Sequence, residues 1–283
     1  VVEDELRAPL DAVFASFEPT PIAAASIAQV HRDHLRTGES VVVKVQSPDI
    51  GATVAEDIAV MAWLAPLLIG RIPVAALANP PVLVEVFADT ISEELDFRLE
   101  AENMLDIAAA FTAVGQDGYV IPRPHPELIT QRVLIMEELE GFGFEAVEEM
   151  QEAGVDTEQV VRTGMIGFME GCMLHGIFHG DLHAGNLLVL HDGRIGLLDF
   201  GITARMLPQQ RMAFLRLLVA ASTNDLRTQI EALRDLGALP PDTDIDDVIR
   251  ELGLDQPMLD PITLSQDELM SEISRVVKAL LAM

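Results

Sequence analysis

The sequence predicts an α+β fold of two lobes, with strands early in the chain and helices late. Three observations carry this. Residues 27–46 read as a β-hairpin: IAQVHRDHL alternates apolar and polar, RTGES supplies a turn at Gly38, and VVVKVQ is a β-branched run. A second hairpin, LLVL-HDGR-IGLLDF, turns at Asp192–Gly193. After Leu207 every periodic stretch is helical, over 208–221, 224–236, 244–252 and 265–282.

The other elements follow in order. Residues 1–16 have the spacing of an amphipathic helix, with Leu6, Leu10, Val13 and Phe14 on one side. Helices are expected over 52–69, 81–113 and 156–178, and VLIMEEL (133–139) as a short buried strand. This divides the chain into an N-terminal lobe, 1–139, and a helical C-terminal lobe, 140–283. The first holds a helix, an alanine-rich loop, a hairpin, inserted helices and a hinge strand.

Composition narrows the function. A chain of 283 residues that is 49% apolar can bury a substantial core. Its formal charge of -28 repels phosphate backbones, which argues against nucleic acid as a partner. The one cysteine, Cys172, cannot form an internal disulfide and fits a reducing cytosol. No secretory signal pattern is visible, and the start at Val and the end in KALLAM suggest a fragment of a longer protein. The apolar run 58–78 is nearly long enough to span a bilayer. Arg71, Pro66, Pro73 and Gly70 interrupt it, so a buried helix pair is the expectation, with membrane-surface contact left open.

Lys44 and Lys278 are the only lysines among 18 basic side chains. Lys44 lies inside VVVKV, a strand whose neighbours favour burial, and a compact ammonium suits a phosphate oxygen. A buried lysine needs a carboxylate. The stretch ISEELDFRLEAENM offers Glu94, Asp96 and Glu100, the last two sharing a helix face. HGDLHAGN then puts Asp181 and Asn186 on one loop, and LLDFG puts Asp199 at the end of an apolar strand. One aspartate can orient a hydroxyl or accept its proton. An asparagine and a second aspartate are hard oxygen ligands for Mg²⁺. The order Lys44, Glu100, Asp181, Asn186, Asp199 is that of kinase-type phosphoryl transfer. A metal hydrolase using His175, His179, Asp181 and His183 is the competing reading, but it leaves Lys44 and LLDFG idle. In the kinase reading His179 is a structural histidine bracing the loop.

Where a protein kinase has a glycine-rich phosphate loop, this chain has PIAAASIAQVH. The Cβ atoms of Ala23, Ala24 and Ala25 make such a loop stiffer, and Ser26 is placed to cap a turn or touch phosphate.

Together PIAAASIAQVHR, VVVKVQSP, EELDFRLEAENM, HGDLHAGNLLV and LLDFG resemble the UbiB family, also called AarF or ADCK, of atypical protein-kinase-like proteins, over roughly residues 15–205. The resemblance implies a bilobal protein-kinase-like fold. It implies an alanine-rich nucleotide loop at Ala23 to Ser26, Lys44 on phosphate with Glu100 as its ion-pair partner, and Glu94 and Asp96 as the family's ExD pair. It places Asp181 at the catalytic position, Asn186 and Asp199 on the metal, Met136 beside adenine and Glu137 to Leu139 as the hinge. It also implies ATP and Mg²⁺, ATPase or restricted kinase activity, a role in isoprenoid-quinone (ubiquinone) biosynthesis, a lipid or quinone precursor as partner, and a cytoplasmic protein associated with membranes. The family's N-terminal KxGQ extension and terminal hydrophobic anchors are not in this chain, and Ala184 stands where HGDxHPGN has proline. Two alternatives remain open: a small-molecule phosphotransferase of aminoglycoside- or choline-kinase type, and a nucleotide-gated scaffold without turnover.

Overall fold

The computed structural model describes residues 1–24, 27–68 and 79–251. The chain forms two compact units, Val1–Leu64 with Val82–Arg205, and Ala65–Pro81 with Met206–Met283.

The first unit opens with an antiparallel sheet of β1 (Phe14–Ser16), β2 (Ala23–Ala24), β3 (Ala28–Leu35), β4 (Ser40–Gln46) and β6 (Val133–Glu137). β1 and β2 pair with one edge of β3, β4 with the other, and β6 with β4. A second sheet runs β5 (Tyr119–Val120), β10 (Ile195–Leu197), β9 (Leu187–Leu190), β7 (Gly141–Gly143), and β8 (Ile177–His179) pairs with β11 (Thr203–Arg205).

The first sheet is covered on both faces, which is why VVVKV does not alternate in hydrophobicity. On the back face Val41, Val43 and Val45 pack with Phe14, Leu35, Val133 and Ile135, and Leu6, Leu10 and Val13 close over them. Fully burying a residue such as Phe14 contributes about 2–3 kcal/mol. Val42, Lys44 and Gln46 point the other way. The helix Phe97–Val114 covers that front face with Phe97, Ala101, Met104 and Ile107, an apolar stripe at helical spacing.

Several expected elements differ in the structure. Residues 1–16 are not one helix. They form helices Val2–Leu6 and Leu10–Val13 and then β1. Pro9 cannot continue a helix, Arg7 sits at φ 53, and Phe14 enters the sheet opposite Leu35. The expected helix 81–113 breaks after Glu94, where the Asp96 carboxylate caps a new helix by accepting from the Arg98 N–H at 3.1 Å. Helix 156–178 ends as an α-helix at Glu170 and closes in a wide turn, Gly171–His175, before β8. A Cβ on Gly171 would lie 2.8 Å from the Ile177 carbonyl oxygen, so only glycine lets the chain return this closely. The apolar run at 58–78 is only partly described, and its described part is largely exposed rather than buried. Its described part belongs to the helix Ile50–Leu68, where Val60, Trp63 and Leu64 are exposed, and the rest lies outside the described residues. By length and composition this is the one described helix able to cross a membrane.

In the second unit, the helices Pro208–Ser222, Leu226–Leu236 and Ile245–Glu251 follow the expected pattern. Ile230, Ile245 and Val248 form a small core, and Arg216 pairs with Asp235 at 2.6 Å. The expected helix 265–282 lies outside the described residues.

Candidate active site

The first unit contains a cleft of about 640 Å³. One wall is the front of β3 and β4, with Val30 and Arg32 on β3 and Val42 and Lys44 on β4. Met136 and Glu137 to Leu139 form its inner end, Leu188 and Leu198 lie opposite, and Asp181, Asn186 and Asp199 gather at the polar end.

Lys44 reaches the cleft because β4 alternates: Val43 and Val45 point to the back, Lys44 to the front. Its Nζ donates to Glu100 Oε1 at 2.8 Å, to Glu100 Oε2 at 2.9 Å and to Asp199 Oδ2 at 3.0 Å. It also lies 5.2 Å from the centre of the Phe97 ring. Burial works against its charge, but Glu100 and Asp199 outweigh that and hold the ammonium above its ordinary pKa. Burial acts on Asp199 in the opposite sense, and Lys44 with the Gly201 N–H overcomes it, so this carboxyl sits below its usual range. For Glu100 burial wins and its pKa rises despite Lys44. Glu100 stands in the first turn of its helix because Asp96 starts that helix, so the cap sets the position of the ion pair.

Glu100 also accepts from the Phe200 N–H at 3.3 Å, and Asn103 donates to the Phe200 carbonyl at 3.0 Å. The helix therefore grips the LLDFG turn by the backbone N–H and carbonyl of one residue. Asn103 is not found by motif reading, but it lies three residues after Glu100 and so on the same face.

His179 is buried. Its Nδ1 accepts from the Asp181 N–H at 3.0 Å and its ring lies against Phe200, with 5.6 Å between centres. Burial holds the imidazole below its usual pKa, against the pull of the Asp199 carbonyl. This bond braces the loop at Asp181. Among the described residues no three His, Cys, Asp or Glu side chains converge to hold an ion by themselves.

Asn186 Nδ2 donates to the Asp181 carbonyl at 3.1 Å, which leaves Oδ1 to serve as an oxygen ligand. Glu94 lines the cleft as well, and burial together with the charges of Asp199 and Asp181 raises its pKa. Asp96 does not join it. It is bound to Arg98 at 2.5 Å as the helix cap, and it is absent from the cleft lining. Ala23 and Ala24 line the cleft as β2, paired to β3 through Ala23↔Val30 and Ala24↔Gln29. Ala25 and Ser26 lie outside the described residues. Arg32, which motif reading also passes over, pairs with Glu138 at the cleft.

A lysine–glutamate pair on a sheet-bearing region, facing an HGD loop and a DFG aspartate, defines a kinase-like α+β protein. The family model for the ABC1 atypical kinase-like domain matches residues 1–233, and the chain belongs to that family, with homologues among UbiB and aarF-domain proteins. An uncharacterized protein of Mycobacterium tuberculosis (strain H37Rv) is 41% identical over 213 residues, covering 74% of this chain and 43% of its own. The chloroplastic protein ACTIVITY OF BC1 COMPLEX KINASE 1 of Arabidopsis thaliana is 34% identical over 253 residues, covering 89% of this chain and 37% of its own. The probable protein kinase UbiB of Aeromonas salmonicida is 30% identical over 252 residues, covering 87% and 46%. The chain thus spans less than half the length of these relatives. Among solved structures, the Rv3197–erythromycin complex from Mycobacterium tuberculosis matches with a TM-score of 0.63 over 100% of this chain and 76% of that one. At 24% identity this is a likeness of fold.

Proposed function

We propose that the chain is an ATP-binding, Mg²⁺-dependent atypical kinase or ATPase. The observation that carries this reading is Lys44, buried and held by Glu100 and Asp199 at the polar end of a cleft whose other end is apolar. The apolar end, with Val30, Val42, Met136 and Leu188, suits a purine base, and the Glu137 to Leu139 backbone suits its polar edge. Lys44 would touch a phosphate oxygen as a point charge. Asp181 would orient the acceptor hydroxyl and take its proton.

Asp199 and the Oδ1 of Asn186 are a fitting pair of hard ligands for Mg²⁺, which takes few protein ligands and relies on phosphate and water for the rest. Glu94 feels the charges of both Asp199 and Asp181, and a divalent cation bound by Asp199 would relieve part of that repulsion. Bound there, the ion would neutralise charge on the transferred phosphoryl group.

From the sequence resemblance to the UbiB family we further propose a role in isoprenoid-quinone (ubiquinone) biosynthesis, with a lipid or quinone precursor as partner. The exposed Val60, Trp63 and Leu64 support peripheral membrane contact by a cytoplasmic protein. The test is ATP binding and hydrolysis with and without Mg²⁺, comparing wild type with Lys44→Ala and Asp199→Asn. Mg²⁺-dependent turnover lost in both variants is the expected result. Binding without turnover replaces the enzyme by a nucleotide-gated scaffold, and absence of binding sinks the kinase reading.

A further inference from the structure

His183 is a cleft residue that the reading above leaves without a task. Its Nδ1 accepts from the Gly185 N–H at 3.0 Å. In the neutral ring that bond places the proton on Nε2. Nε2 lies 3.7 Å from Asp181 Oδ2, too long for a hydrogen bond. The ring is seated on Gly185, where a Cβ would come within 2.8 Å of the His183 Cε1. The catalytic loop thus holds the imidazole by one nitrogen and presents the other as a free donor beside Asp181.

The charge around it gives that donor a purpose. Six carboxylates line the cleft. Its side-chain donors are Arg32, Lys44, His183 and Asn186. Arg32 is paired with Glu138, Lys44 with Glu100 and Asp199, and Asn186 with the Asp181 carbonyl. The His183 Nε2–H is the side-chain donor with no hydrogen bond among the described lining residues. A phosphate tail entering so acidic a cleft needs donors, and this one stands beside Asp181, where the kinase reading puts the acceptor and the terminal phosphoryl group.

We infer that His183 is a further catalytic residue, its Nε2–H donating to an oxygen of the terminal phosphoryl group during transfer. This rests on the kinase reading. In the step, the P–O bond to the nucleoside diphosphate breaks and a P–O bond to the acceptor oxygen forms. The acceptor proton passes to Asp181, and His183 keeps its own proton throughout.

Two substitutions separate the nitrogens. His183→Asn keeps an acceptor for the Gly185 N–H but does not reach the Nε2 position. His183→Gln reaches it and restores an N–H donor there. Binding of ATP, a non-hydrolysable ATP analogue and ADP is measured by calorimetry on all three proteins, with turnover alongside. The expected result is that His183→Asn weakens ATP and analogue binding on the order of tenfold and leaves ADP within twofold, as loss of one hydrogen bond to a charged group would. His183→Gln recovers most of that preference. Equal losses for ATP and ADP, or no change in either, make His183 a loop brace only and overturn the inference while the kinase reading stands. Failure of wild type to bind any nucleotide removes both.

Discussion

The polar part of the cleft itself has two ends. At one, Lys44 is buried, with three hydrogen bonds to two carboxylates, and the turn that carries Asp199 is gripped by Glu100 and Asn103. At the other end Asp181 and His183 have side chains 52% and 58% exposed and face each other across a gap. The difference separates two tasks. Under the proposed function, the Lys44 end is organised without a ligand, as phosphate positioning requires. The Asp181 end is open, as entry of an acceptor would require. Stability should therefore reside at the first end and turnover should depend on both.

The largest expected effect is on turnover alone. Asp181→Asn keeps the side-chain volume and the loop's backbone bonds but removes the proposed base. Turnover should fall about 10²- to 10⁴-fold. The thermal midpoint and nucleotide affinity should stay at wild-type values, because substitutions at exposed positions change stability by about 0.5 kcal/mol or less. A large drop in midpoint would show that this loop is not the open end described here.

Glu100→Ala should do the reverse in stability. It strips a buried ammonium of its bidentate partner and leaves the Phe200 N–H with one acceptor fewer. Removing one member of a buried pair costs about 3–5 kcal/mol. Here Asp199 still holds Lys44, so about 3 kcal/mol is expected, read as the shift in a urea midpoint at unchanged slope. A loss below about 1 kcal/mol would mean that Asp199 alone suffices and that the rigid end is less rigid than its hydrogen bonds suggest.

The two ends were also unequally legible in the sequence. Lys44 in a β-branched run, HGD followed by Asn, and LLDFG each pair a residue type with a local period, and those local signals placed the strands, the second hairpin and the cleft. The failures share a cause. Asp96 reads as half of an acidic pair, yet its carboxylate is consumed by the Arg98 N–H and guanidinium, and nothing in the spacing distinguishes a cap from a ligand. Phe14 has the spacing of the helix before it, but pairing with Leu35, far along the chain, makes it a strand residue. Asn103 and His183 have roles visible only once the Phe200 peptide and the Gly185 N–H are in place. The exposed helix Ile50–Leu68 was expected to be buried because apolar composition does not report what covers it.

The smallest effect tests whether the two ends share a field. Glu94 lines the same cleft, and burial with the charges of Asp199 and Asp181 raises its pKa. A carboxyl whose folded pKa lies above its unfolded value of about 4.3 destabilises the fold once ionised. As pH rises from about 4 through the folded pKa, the folded state loses its proton less readily than the unfolded one, and stability falls by the corresponding amount. Glu94→Gln removes that dependence. The variant should be slightly more stable than wild type at pH 7.5, by a few tenths of a kcal/mol because the side chain is partly screened by water. The gap should shrink at pH 4.5. Added Mg²⁺ with a nucleotide should raise the wild-type midpoint more than the variant's, since the cation relieves in one what the substitution has already relieved in the other. A midpoint difference that is the same at both pH values would mean that neither burial nor the charges of Asp199 and Asp181 raise the Glu94 pKa in the fold.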